Sequence, residues 1–115
     1  MSLKILAQKY FDFFSNKDIH SLSKMFAPNI ILRDWQIYAK GKFNVIKANK
    51  KIFKSFKSIK VKPTKLHVIN STKTIFAEIE ICVNNSKKKI LVLDILKFNN
   101  KNKINIIKAY LGSKS

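Results

Sequence analysis

Apolar side chains along this chain change their spacing, from the three- and four-residue recurrence of helices to the alternation of strands. Leu3, Leu6, Ala7, Tyr10, Phe13 and Phe14 form one stripe on a first helix. Asn16, Lys17 and Asp18 break it, and Asp18 is placed to cap a second short helix carrying Ile19, Leu22, Met25 and Phe26. The pair Ala27 and Pro28 predicts the end of that helix, because a residue before proline is pushed out of helical backbone angles. Asn29 to Ala39 then predicts a strand and Gly41 a turn. A third helix follows, with Val45, Ile46, Ile52, Phe53 and Phe56 on its buried face.

The remainder is β-rich. Strands are predicted at about Ile59–Asn70, Thr74–Val83, Ile90–Phe98 and Ile104–Leu111. Their connectors, NSTK, NNSK and NNKN, have turn composition and hairpin length. Three helices followed mainly by an antiparallel meander describe an α+β fold, with helices packed on a curved sheet. At 115 residues this is one domain, spanning 1–115 and large enough to bury a core without disulfides or metal.

One polar residue breaks the strand pattern in an informative way. Ile90, Val92, Asp94, Leu96 and Phe98 share one strand face, so a lone carboxyl stands among four apolar side chains. Such a group must be paired, or protonated at neutral pH. A protonated carboxyl donates a hydrogen bond, which is an uncommon and useful property in an active site. Asp94 is therefore the first candidate for chemistry.

Charge changes this picture less than its size suggests. The formal net charge is +18, which raises the possibility of a nucleic-acid partner. Yet Arg33 is the only arginine, and arginine is the side chain that bidentate phosphate or guanine recognition favours. The lysines are scattered along the chain without forming a basic arm, so most of the charge reads as a solvated surface and nucleic acid as a minor alternative. The N-terminal segment lacks the uninterrupted apolar core of a signal peptide, and no apolar run approaches bilayer length. Cys82, the single cysteine, has no internal disulfide partner. A soluble, cytoplasmic protein without a membrane partner is the expectation.

Local segments carry a family resemblance over nearly the whole chain. The stretch QKYFDFFSNKDI around Tyr10 resembles the first helix of the ketosteroid isomerases, and MFAPNIILRD, ending at Asp34, resembles their following strand. VLDILKFNNKNKI around Asp94, with KAYLG after it, resembles their last hairpin. The order of elements is similar to that of the nuclear transport factor 2-like (SnoaL-like) superfamily. The resemblance implies a cone formed by a bent antiparallel sheet and three helices. It also implies an oxyanion hole made by Tyr10 and a protonated Asp94, with Asp34 as the base.

Proton transfer α to a carbonyl of a small apolar substrate is the implied reaction, without metal or organic cofactor. A homodimer is implied as well. Asp34 shares its predicted strand face with Ile30, Leu32, Gln36 and Tyr38 and is expected nearer a rim, which suits a base that stays ionised. The isomerases carry proline after the base where this chain has Trp35, and helix three lacks the tyrosines that support theirs; Tyr38 and Tyr110 are the only others here. Trp35, Phe14 and Tyr110 are the aromatic candidates for substrate contact.

Other sites have weaker support. His20 and His67 are far apart and lack the ligand spacing of a metal site. Glu78 and Glu80 share a face with Phe76 and Cys82; that face reads as solvated, and Glu80 becomes a substrate-binding candidate if it lines the cone. Cys82 reads as a small packed residue. The alternative functions are a non-catalytic ligand-binding or interaction domain and, less favoured, a nucleic-acid-binding protein.

Overall fold

The structure, a computed structural model, describes residues 2–114. Helix α1 spans Leu3–Ser15 and α2 Ile19–Met25. Asp18 caps α2 through a hydrogen bond from the Ser21 backbone N–H at 3.1 Å. Strands β1 (Phe26–Arg33) and β2 (Tyr38–Lys40) precede α3 (Lys42–Ser55). Strands β3 (Ile59–Ile69), β4 (Thr74–Val83), β5 (Ile90–Phe98) and β6 (Ile104–Lys114) complete the chain.

The strands form one open sheet in the order β2-β1-β6-β5-β4-β3. Neighbours are antiparallel except β1 and β6, which run parallel, so the sheet is mixed where an antiparallel one was predicted. The reason is connectivity. Strands joined by a tight turn must be antiparallel, whereas β1 and β6 are separated by most of the chain and are free of that constraint. Register shifts in the β1–β6, β3–β4 and β5–β6 pairs mark bulges, and bulges bend strands. Pro63 sits at one of them, where a missing N–H disturbs the ladder least.

The predicted strand from Asn29 to Ala39 is in fact two strands and a turn. Asp34 Oδ1 accepts hydrogen bonds from the backbone N–H groups of Gln36 at 2.7 Å and Ile37 at 2.6 Å. A short acidic side chain that bonds the backbone two and three residues on competes directly with strand pairing. Tyr38 consequently leaves the face of Leu32 and pairs beside Arg33, whose guanidinium stacks 4.5 Å from its ring centre. Helix α2 also ends earlier than Pro28 predicts: Phe26 to Asn29 are already extended.

The helices cover one face of the sheet. Helix α1 packs on β3 and β4, and α3 on β1 and β2. Leu22, Phe26, Ile30, Val45, Ile75, Leu96 and Ile104 are buried between the layers. Phe11 is more deeply buried than Phe13 or Phe14, which the helical stripe of α1 had favoured. Lys17, in a left-handed conformation at φ 55°, donates from its ammonium to the carbonyls of Phe53 at 2.8 Å and Lys57 at 3.2 Å. The corner between α1 and α2 is thereby fastened to the C-terminal end of α3, where unpaired carbonyls favour a cation.

Candidate active site

Between the helices and the inner sheet face lies a cavity of about 340 Å³. That is near the low end of small-molecule pockets, roughly 300–1,000 Å³. Its floor is β-sheet, including Ile79, Val92, Asp94 and Ala109; Tyr10, Phe14, Asn49, Ile52 and Phe56 form the helical wall. The turn from Asp34 to Ile37 contributes the remaining side, with Trp35 both lining the cavity and 46% exposed.

Asp94 reaches this position through strand alternation. Its neighbours on β4 and β6 are Ala77 and Ala109, the smallest side chains on that part of the sheet, so space remains above the carboxyl. Only 7% of Asp94 is exposed. Burial pushes its pKa up to about 7, and the charge of Asp34 adds to the effect. A substantial share of the protein therefore carries Asp94 as a neutral acid near neutrality.

Tyr10 is buried on α1 within a set of phenylalanine rings. Phe11 meets it edge-on at 5.2 Å, and Phe14 and Phe26 lie at 6.0 and 6.5 Å. Burial, followed by the charges of Asp94 and Asp34, raises its pKa well above the usual phenol value. Tyr10 stays a hydroxyl donor at every physiological pH.

Asp34 is built differently. It is partly exposed, and its Oδ1 is committed to the backbone of its own turn. Among the described residues no hydrogen bond engages Oδ2, which leaves one carboxylate oxygen available for a proton. The cavity thus gathers two buried donors of raised pKa and one carboxylate at its edge.

Phe14 and Trp35 line the same cavity, but two candidates from the sequence lie elsewhere. Tyr110 pairs with Leu93, one residue out of phase with the Ala109–Asp94 row, and therefore points to the outer sheet face, where it is 54% exposed. Glu80 is out of phase with Ile79 and Ile81, both of which line the cavity, and forms a 3.5 Å ion pair with Lys89 on the outer face. His67 and Glu78 pair at 2.7 Å on that same face. Conversely, Asn49, Gln36 and Ile37 line the cavity without having been singled out. For Asn49 a signal existed: Val45, Asn49 and Phe53 recur every four residues, so an amide sits in the buried stripe of α3.

Comparisons with known proteins agree with this architecture. A family model described as the SnoaL-like domain matches residues 4–92. No curated protein matches the sequence. Among solved structures, a provisionally assigned isomerase of the SnoaL-like family from Agrobacterium tumefaciens superposes with a TM-score of 0.81 at 11% identity, covering 95% of this chain and 96% of that one. A provisionally assigned ketosteroid isomerase from Kribbella flavida gives 0.81 at 12% identity, covering 96% and 78%. The epoxide hydrolase/cyclase-like enzyme SalBIII, involved in pyran ring formation in the polyether salinomycin, gives 0.83 at 15% identity, covering 96% and 90%. Similarity at these identities is similarity of fold.

Proposed function

The chain belongs to the SnoaL-like domain family, and from that premise we propose that it is an enzyme of enolate chemistry, moving a proton α to the carbonyl of a small apolar substrate. One observation carries the reading: a buried carboxyl raised to about 7 opens into the same cavity as a buried tyrosine and a separate carboxylate. Fold similarity alone transfers no chemistry, so the residues have to support it.

The roles follow from protonation. Tyr10 and neutral Asp94 donate hydrogen bonds to the substrate carbonyl oxygen, and those bonds strengthen as negative charge develops there. Asp34 Oδ2 takes the α proton, giving an enolate and a protonated Asp34. Return of that proton to the γ carbon of the conjugated system yields the shifted double bond and restores the carboxylate. Substrate entry displaces residual water and further favours the neutral form of Asp94. Donors aimed at charge that appears only during reaction lower the barrier without merely tightening ground-state binding.

Phenols and naphthols mimic the enolate and do not require the true substrate. Titration of a small panel against the wild type, Asp94→Asn and Tyr10→Phe tests the donors, and isomerisation of simple β,γ-unsaturated ketones to conjugated enones by wild type and Asp34→Asn tests the base. Binding that weakens in both donor variants, with turnover lost in Asp34→Asn, is the expected result. Affinity indifferent to both donors would sink the assignment. Donor-dependent binding without turnover of any such ketone would make the chain a ligand-binding domain.

Homodimer formation through the outer sheet face belongs to the same proposal. Leu91 and Tyr110 are exposed there, beside the partly buried Phe76, Leu93 and Ile95. An apolar patch of this kind is a common mark of an interface.

A further inference from the structure

The buried stripe of α3 contains one residue that folding alone does not explain. Asn49 lies between Val45 and Phe53, is 2% exposed and lines the cavity. Among the described residues its Nδ2 has no hydrogen-bond partner. Asparagine is a poor helix former in a helix interior, and a buried amide without partners loses its hydration with nothing in return. Leucine or methionine at this position would satisfy both the helix and the core.

We infer that Asn49 is a specificity residue, whose amide hydrogen-bonds a second oxygen of the ligand, remote from the carbonyl held by Tyr10 and Asp94. The inference rests on the reading of this cavity as the enolate site. Placement supports it: Tyr10 is on α1 and Asp94 on the sheet, whereas Asn49 belongs to the α3 wall beside Ile52 and Phe56. The rest of that wall is apolar, so a ligand oxygen placed against α3 finds its partner in Asn49. Half a turn of the amide about its Cβ–Cγ bond exchanges Nδ2 and Oδ1, so the group serves either a ligand carbonyl or a ligand hydroxyl. The substrate class narrows accordingly, to compounds with an enolisable ketone at one end and a hydroxyl or second carbonyl at the other. A hydrocarbon-ended ketone leaves the amide unpaired and is selected against.

The test compares a naphthol with a set of naphthalenediols that differ in the position of the second hydroxyl. Each is titrated into wild type, Asn49→Leu, Tyr10→Phe and Asp94→Asn. In the wild type at least one diol is expected to bind about tenfold more tightly than the naphthol, the upper range for one added hydrogen bond. Asn49→Leu should abolish that preference while leaving naphthol affinity within about twofold, since an apolar replacement loses nothing with a ligand that never used the amide. Asn49→Leu should also raise the melting temperature of the free protein, because it removes an unpaired buried group.

A diol preference that survives Asn49→Leu, no preference in the wild type, or equal weakening of naphthol and diols would each overturn the inference. So would a lowered melting temperature, which marks a structural amide. Failure of the underlying reading has a different signature: naphthol affinity unchanged in Tyr10→Phe and Asp94→Asn, or no binding across the whole panel, which overturns both.

Discussion

The charge of Asp34 helps hold the carboxyl of Asp94 in its neutral form, although the two come from different elements and reach the cavity from different sides. Burial is the larger cause of the shift, and Asp34 adds like-charge repulsion. The two carboxyls are thereby differentiated by environment. One is set among apolar side chains and two alanine neighbours, the other at a partly exposed turn whose backbone N–H groups bond one of its oxygens.

Carboxyl carbon NMR of the folded protein should find Asp94 titrating near 7. In Asp34→Asn the value should move down but remain above the ordinary carboxylate range, because burial persists. A titration near 4, the unperturbed range of aspartate, would remove the neutral donor from the mechanism.

Stability should follow the same group. The native state holds the Asp94 proton over a pH range in which the unfolded chain has lost it, so this residue's contribution is most favourable below about pH 4 and is lost as pH rises through about 7. Asp94→Asn, which resembles the neutral acid in shape, should therefore be more stable than wild type at pH 8, with an upper bound on the order of 4 kcal/mol. The difference should vanish at low pH. Denaturant melts at several pH values measure it, and a gain independent of pH would contradict the linkage.

Asp34 has two duties that substitutions separate. Asp34→Asn keeps an acceptor oxygen for the Gln36 and Ile37 N–H groups but is no base, so turnover should be lost with stability nearly intact. Asp34→Ala should additionally cost about 1–3 kcal/mol, by leaving the turn's N–H groups without their charged acceptor. Paired assays of β,γ-unsaturated ketone isomerisation and thermal melting distinguish the two.

Lys17→Met should lower stability by roughly 1.5–3 kcal/mol, the range for hydrogen bonds to a charged group. The ammonium satisfies the carbonyls of Phe53 and Lys57 at the end of α3, and methionine fills similar space without donating. Chemical denaturation reads the loss directly. An unchanged midpoint would mean that solvent replaces the ammonium at no cost.

Self-association should strengthen with salt. Each copy carries a formal +18, so pairing two outer sheet faces brings like charges together, and counterions relieve the repulsion. Sedimentation at low and high salt should show dimer growing with ionic strength, and Tyr110→Lys should shift it back to monomer. Binding to nucleic acid would show the opposite salt dependence.

Much of this molecule was decided by local sequence. Apolar spacing placed three helices and the last four strands, and Asp94 announced itself as a carboxyl in an apolar strand face, a property that strand alternation alone imposes. Tyr10 on the apolar stripe of α1 was legible for the same reason. Tertiary structure decided the rest, because pairing partners and side-chain surroundings are set by contacts distant in the chain. The parallel β1–β6 pair depends on which edge β6 leaves open, which no periodicity encodes. Asp34 bonds its own backbone and turns a predicted strand into two. Tyr110 and Glu80 fell on the outer face once strand register fixed which row Asp94 occupies. Asn49 became significant only when packing showed a buried amide with nothing to hold, for a polar residue in a stripe acquires meaning from what lies opposite it.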